Sequence, residues 1–266
     1  MAKTIAISNQ KGGVGKTTTA VNLSASLAAF ERKVLLIDLD PQGNASQGLG
    51  YNEVQDEDIF EALEAAEIPG SVTQDLLKGI IKPTGLKFMN LIPSSPGLAG
   101  LEMSLVNAPN REGRLKEVVR AIQDEYEFII IDSPPSLNLL TINALTAADT
   151  ILIPVQCEYY AMQGLAELFN TIRLVQKNMN PKLQIEGALL TMYDARLTLS
   201  KQVMDEVKSC FSEKIFKTLI PRNVKLAESP SHGKPVIMYD IQSVGSKSYI
   251  SLAEEILGIQ GGLKNG

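Results

Sequence analysis

Lys11 and Lys16 bracket three glycines, and two threonines follow, in the run Lys11-Gly12-Gly13-Val14-Gly15-Lys16-Thr17-Thr18. Glycines lack a Cβ, so successive backbone N–H groups can turn inward around phosphate oxygens, while a helix starting just beyond offers its positive N-terminal end to the same anion. In that chemistry Lys16 reaches the β/γ-phosphates and the Thr17 hydroxyl ligates Mg²⁺. The bland reading is a glycine-rich turn with two solvated lysines. Context argues for phosphate, because a strand-like run at residues 4–8 precedes the loop and a helix-like run at 18–29 follows it.

Two further stretches could carry the acids that such chemistry needs. Val34-Leu35-Leu36-Ile37-Asp38 reads as a strand that continues into Leu39-Asp40-Pro41-Gln42-Gly43-Asn44. Period-two alternation puts Asp38 and Asp40 on one side at the strand's C-terminal end, the edge where open α/β sheets bind ligands. Two acids capping a turn before Pro41 is the plain alternative. Phe128-Ile129-Ile130-Ile131-Asp132-Ser133-Pro134-Pro135 is an apolar strand ending in an acid. Asp132 either holds Mg²⁺, often through a water, or merely tips a core strand.

The glycine loop departs from the general G-x-x-x-x-G-K-[ST] pattern, since Gln10 stands where glycine is expected and a lysine appears at 11. It thereby resembles the deviant Walker A box of the ParA/MinD family of ATPases. The segment from Asp38 resembles that family's Walker A′ motif, the strand ending in Asp132 its Walker B motif, and Pro221-Arg222-Asn223-Val224-Lys225 its adenine-recognition loop. The resemblance implies ATP and Mg²⁺ as ligands. It implies nucleotide contacts from Lys11, Gly12, Gly13, Val14, Gly15, Lys16, Thr17 and Thr18 and from Pro221, Arg222 and Asn223, with the metal at Thr17 and Asp132. Catalysis would fall to Asp40, which positions or deprotonates the attacking water, with Lys16 and Lys11; Asp38 would lie nearer the metal shell. Lys11 would act on nucleotide held by a partner subunit, so an ATP-sandwiched homodimer is expected.

Within the family the chain is most similar to the chromosomal ParA/Soj partition ATPases, from residue 1 to about 257. That similarity implies binding to double-stranded DNA without sequence preference, through Arg196 and Lys225. The family often has arginine at the latter position, so the lysine keeps the charge and loses the fork. Solvated surface charges are the alternative for both. A ParB-type centromere-binding partner that stimulates slow hydrolysis is also implied, as is a cytoplasmic, nucleoid-associated location. MinD is the rival reading within the family, with cargo positioned at a membrane, but the C-terminal stretch here carries Glu254 and Glu255 and ends in glycines, a poor membrane anchor. A nitrogenase-type iron protein would need cluster-ligating cysteines placed differently from Cys157 and Cys210, and a non-hydrolysing scaffold would not need acids at 40 and 132.

These residues must be positioned by elements that the sequence also announces. Strand-length apolar runs at residues 4–8, 34–38, 87–92, 128–132, 150–154, 186–192 and 216–220 alternate with helix-length amphipathic segments near 17–29, 57–66, 71–78, 97–106, 112–125, 138–147, 160–178, 198–211 and 245–257. The pattern predicts an α/β fold, a single-domain P-loop NTPase with a mostly parallel twisted sheet and helices on both faces. The 266 residues suffice for one core, with residues 1–257 as the ATPase domain and 258–266 as a flexible tail. A net charge of −5 excludes a uniformly basic nucleic-acid coat, so any DNA contact must be a local patch. The two cysteines lack a C-x-x-C spacing and read as reduced thiols of a cytosolic protein. No leader, membrane span or operator-binding extension is expected. His232, the single histidine, has no ligand-spaced partners and reads as structural. Residues 155–160, opening a long helix, serve either an interface or packing, and residues 50–85 carry no assignable chemistry.

Overall fold

The computed structural model describes residues 1–52, 57–158, 163–211 and 214–259. Along them run β1 (Lys3–Ile7), α1 (Lys16–Ala29), β2 (Val34–Asp38), α2 (Asn44–Gly48), α3 (Ile59–Ala65), α4 (Gln74–Ile80), β3 (Lys82–Pro83), β4 (Met89–Ile92), α5 (Gly97–Ser104) and α6 (Arg114–Ile122). There follow β5 (Phe128–Asp132), α7 (Leu139–Ala147), β6 (Thr150–Gln156), α8 (Gln163–Asn178), β7 (Gln184–Thr191), α9 (Thr198–Phe211), α10 (Val224–Glu228), α11 (Val236–Tyr239) and α12 (Val244–Leu257). The seven strands form one sheet in the order β3-β4-β2-β5-β1-β6-β7, parallel except where β3 meets β4. The expected α/β architecture is therefore the observed one.

Period two explains how the apolar strands serve two cores at once. Ile129 and Ile131 of β5 join Leu35, Ile37, Ile151 and Ile153 on one face of the sheet, whereas Ile130 joins Ile5, Ile7, Leu36 and Leu152 on the other. A parallel sheet covered on both faces requires this near-continuous hydrophobicity. Helix α1 is buried along almost its whole length, which is why it is built from alanine, serine and threonine with Leu23 and Leu27 rather than as an amphipathic surface helix. On its far side packs α12, which buries Tyr249, Leu252 and Ala253. Among the described residues no helix is long and apolar enough to cross a membrane.

Register fixes the ligand edge. Asp38 at the end of β2 lies opposite Asp132 at the end of β5, and Ile7 at the end of β1 lies opposite Asp132 from the other side. β1 thus delivers the glycine loop to the position between β5 and β6, where successive connections leave for opposite halves of the sheet, the crevice that open α/β sheets use for ligands.

Residues 216–220, expected as a strand, do not form one. Phe216 and Ile220 donate to the carbonyls of Ala188 and Leu190 on β7. Between them, however, the N–H groups of Lys217 and Thr218 go to the Glu255 carboxylate of α12 at 2.8 and 3.1 Å, and the Thr218 hydroxyl also donates to it. A side chain has taken the donors that a ladder would use. The short β3, α2, α10, α11 and a 3₁₀ turn (Ser229–His232) were not anticipated, being too brief for periodicity to register. Gly258 ends α12 in the left-handed conformation (φ 67°). The expected tail beyond it, from residue 260, lies outside the described residues, as do Tyr159 and Tyr160.

Glu255→Ala should leave Lys217 and Thr218 without their acceptor and lower unfolding free energy by about 1–3 kcal/mol. A urea titration checks this, with the midpoint expected to fall at unchanged slope.

Candidate functional site

A cleft of about 630 Å³ opens at the C-terminal edge of the sheet. Its floor is the glycine loop, contributing Gly12, Gly13, Gly15, Lys16, Thr17 and Thr18. Gly13 and Gly15 have φ of 73° and 87°, and Gly15 caps α1 in that left-handed state, a conformation that any side chain would strain. The Thr191 hydroxyl at the end of β7 donates to the Val14 carbonyl at 2.8 Å and ties the loop to a strand 177 residues away.

Asp40, Asn44, Gln47, Pro230 and Ser231 also line the cleft, the 3₁₀ turn packing beside α2. Two glycines make that contact. A Cβ on Gly233 would come within 2.8 Å of the Gly50 Cα, so only glycine allows the segment after α2 to lie against the 3₁₀ turn. Asp40 is oriented by its own turn, accepting from the Gln42 N–H at 3.0 Å through its side chain and from the Ser94 hydroxyl at 2.6 Å through its carbonyl. The Asp38 carboxylate accepts from the N–H and hydroxyl of Ser46 at 2.8 and 2.7 Å and from the Asp40 N–H at 3.2 Å, so it braces the Asp40 turn and α2 while lying close enough to Asp132 to repel it.

Beneath Thr17 lies Asp132, fully buried. Neither carboxylate oxygen has a hydrogen bond of ordinary geometry. Burial pushes this carboxyl well above the usual carboxylate range, the Asp38 charge pushes it further, and the nearby Thr17 hydroxyl pulls the other way. Burial also raises Asp38, to about 6, against the bonds from Ser46 and Asp40. Lys16 is 7% exposed, and burial lowers its ammonium against the attraction of Asp132 and Asp40. Its Nζ donates to the Lys11 carbonyl at 2.9 Å. An interior that holds an orphaned carboxylate beside a desolvated ammonium is poised for a cation and an anion arriving together. Mg²⁺ fits these residues: Thr17 and Asp132 would hold it, with nucleotide and water completing the shell. Among the described residues no cluster of three His, Cys, Asp or Glu side chains could chelate a metal alone.

A second lobe of about 250 Å³ continues from Gly15 and Thr18 past Met192, Pro221, Arg222 and Asn223 to Tyr249. Asn223 is the N-cap of α10, where asparagine ordinarily accepts a helix N–H. Here it makes no such bond, and its Oδ1 is buried without a partner. That oxygen suits a donor such as the exocyclic amine of adenine. Met192, at φ 51°, lines both lobes. Nothing in the sequence pointed to it or to Gln47; Asn44 ends the run that resembles the Walker A′ motif, and Pro230 and Ser231 belong to the stretch that continues the loop after Pro221.

Lys11 is not among the residues lining its own cleft. Its Nζ pairs with Glu158, two residues past the end of β6, at 3.2 Å. Neither Arg196 nor Lys225 lines the cleft; Arg196 follows Tyr193 beyond β7, Lys225 lies in α10 after Pro221, and a bridge joins Tyr193 to Pro221. Cys157 is buried, which raises its thiol to about 11, and Cys210 is exposed; both are free. His232 stacks on Tyr239 at 4.8 Å, as a structural residue would.

Comparison with known proteins bears on this geometry. Residues 2–185 match the model of a family described as an AAA domain. The chain is 54% identical over 256 residues to the sporulation initiation inhibitor protein Soj of Bacillus subtilis, covering 96% of this chain and 98% of that one. It is 51% identical over 257 residues to the chromosome partitioning protein ParA of Myxococcus xanthus, covering 97% and 88%. The chain belongs to the ParA/Soj family of chromosome-partitioning ATPases. Cobyrinic acid a,c-diamide synthase from Mycobacterium smegmatis, solved with a bound ATP analogue and magnesium, shares this ParA/Soj-type fold at TM-score 0.82 and 34% identity over 97% of this chain and 95% of that one.

Two substitutions test the site. Asp132→Asn replaces a carboxyl whose ionisation burial opposes, so the nucleotide-free protein should melt at a higher temperature while the Mg²⁺-dependent part of ADP affinity disappears; calorimetric titration with and without Mg²⁺ measures the second effect. Thr191→Val should weaken ADP binding roughly fivefold with the fold intact, the loss of about one hydrogen bond.

Proposed function

We propose that this chain is an ATP-driven switch of DNA partitioning in which two copies close face to face over their nucleotides. The observation that carries the reading is the division between two lysines of one loop. Lys16 is buried near Asp132 and Asp40, whereas Lys11 does not line the cleft and pairs with Glu158. A cation of the phosphate loop that does not serve its own site is well placed to serve another across a two-fold interface.

In this scheme the loop N–H groups and Lys16 hold the β/γ-phosphates, and the adenine lies in the second lobe against Asn223. Bound Mg²⁺ supplies positive charge against the phosphate oxygens during phosphoryl transfer. Asp40 orients or deprotonates the attacking water, and its turn is stiffened by Asp38 and Ser94 so that the carboxylate loses little freedom on reaching that position. Lys11 of one protomer adds charge stabilisation at the other's phosphates. Dimerisation doubles a DNA-contacting patch at Arg196 and Lys225, and a ParB-type partner accelerates the hydrolysis that undoes it. The adjacency of the Tyr193 and Pro221 loops supports such a patch. Asn223 and Lys225 lie on the same turn, which links base occupancy to that surface.

Size-exclusion chromatography with light scattering, combined with phosphate release, tests the scheme. Wild type should be monomeric alone and dimeric with ATP. Asp40→Ala should bind ATP, remain dimeric and lose about 10²–10⁴-fold in turnover, and Lys11→Ala should bind ATP as a monomer. A Lys11→Ala protein that dimerises and turns over normally refutes the shared site.

A further inference from the structure

Each of the two cations assigned to DNA already has a carboxylate of its own. Asp194 receives Arg196 as a fork, with Nε donating to Oδ1 at 2.9 Å and Nη2 to Oδ2 at 2.7 Å, and the Arg196 N–H donates to Oδ1 at 3.0 Å. Glu228 Oε2 accepts from Lys225 Nζ at 3.0 Å and from the Tyr239 hydroxyl at 3.1 Å, while the ammonium lies 5.4 Å over the Tyr239 ring. In both cases the acid comes from the same short segment as the base, two or three residues away. Both pairs are at the surface, with Arg196 88% exposed and Lys225 and Glu228 each 41% exposed.

Pairs of this exposure contribute little to stability, so the fold has small need of them. Their effect on an approaching polyanion is large by comparison. A phosphate must displace a fork already made, and the displaced carboxylate stays beside it as a like charge. The local charge of one protomer's patch is thus close to zero instead of +2, on a chain whose net charge is −5.

We infer that Asp194 and Glu228 are affinity-setting residues of the DNA surface: they compensate Arg196 and Lys225 so that a single protomer falls below the threshold for binding and two protomers exceed it. The inference rests on the DNA-binding reading above. Dependence on ATP then arises from attenuation as well as from doubling, since an uncompensated patch on one protomer would hold DNA at all times and the switch would be lost. The depression of the Asp194 carboxyl by Arg196, and of Glu228 by Lys225 and then Tyr239, agrees with acids held ionised by their partners.

Asp194→Asn keeps an acceptor for the Arg196 N–H, and Glu228→Gln one for the Tyr239 hydroxyl, so both remove charge with little change of shape. Fluorescence anisotropy with a random-sequence duplex, across a potassium chloride series, with and without a non-hydrolysable ATP analogue, reads the outcome. Each substitution should steepen the logarithmic salt dependence by about 0.9 per freed cation and tighten binding roughly tenfold at 0.1 M salt. The double variant should bind DNA without nucleotide. Arg196→Glu is the control for the underlying reading and should lose DNA in the presence of the analogue. Wild-type affinity and slope in the double variant, with Arg196→Glu inactive on DNA, overturns the role of the carboxylates and leaves the DNA surface standing. If Arg196→Glu binds normally, the surface itself is misassigned and the inference falls with it. Should Asp194→Asn fail to fold, Glu228→Gln alone carries the same comparison at half the slope change.

Discussion

Asp132 sits in the protein interior with neither oxygen in an ordinary hydrogen bond, alongside Asp38 and below Lys16. Burying a carboxylate without partners is costly, and placing a second acid opposite it in the strand register adds repulsion. The fold bears that cost at one point only because the strands on either side are locked in place, β5 between β1 and β2 with both cores closed over them. Strain of this kind is relieved by a cation. The same position lies under a loop shaped for an anion, so the two halves of a metal–nucleotide complex are invited by one electrostatic fault.

The surroundings convert that fault into a site with geometry. Asp38 fastens Ser46 and the Asp40 N–H, Ser94 fastens the Asp40 carbonyl, and Thr191 fastens the Val14 carbonyl. The first two bonds are local and brace the Asp40 turn, whereas those of Ser94 and Thr191 span 54 and 177 residues, so the turn, the loop and the end of β7 are fixed before any ligand is present. Such preorganisation spares the reorganisation that would otherwise be needed at the moment of reaction. The withheld cap at Asn223 belongs to the same pattern, a buried polar group without its local partner beside the second lobe.

At the periphery the logic reverses. The interior leaves Asp132 without an ordinary hydrogen bond, whereas Lys11, Arg196 and Lys225 are each paired with a carboxylate, at Glu158, Asp194 and Glu228. Exposed pairs form and break cheaply. Under the proposed scheme these are the three cations that must change partners when two protomers and DNA come together. Tight, unsatisfied groups therefore mark the proposed place of chemistry, and loose, satisfied ones the proposed places of assembly.

The linear order of residues determined the phosphate loop, because three glycines, a lysine and a threonine between a strand and a helix demand a local backbone that few other functions require. It determined the layered architecture as well, since apolar runs and amphipathic segments carry their periods in the chain. Three-dimensional closure decided what local pattern cannot encode. It gave Asp38 its bonds from Ser46, diverted the donors of Lys217 and Thr218 to Glu255, and brought Pro230 and Ser231 to the cleft that Asn44 lines. These depend on partners from eight to nearly two hundred residues distant, and on which acceptor a backbone donor takes, and such choices are settled by packing rather than by local pattern.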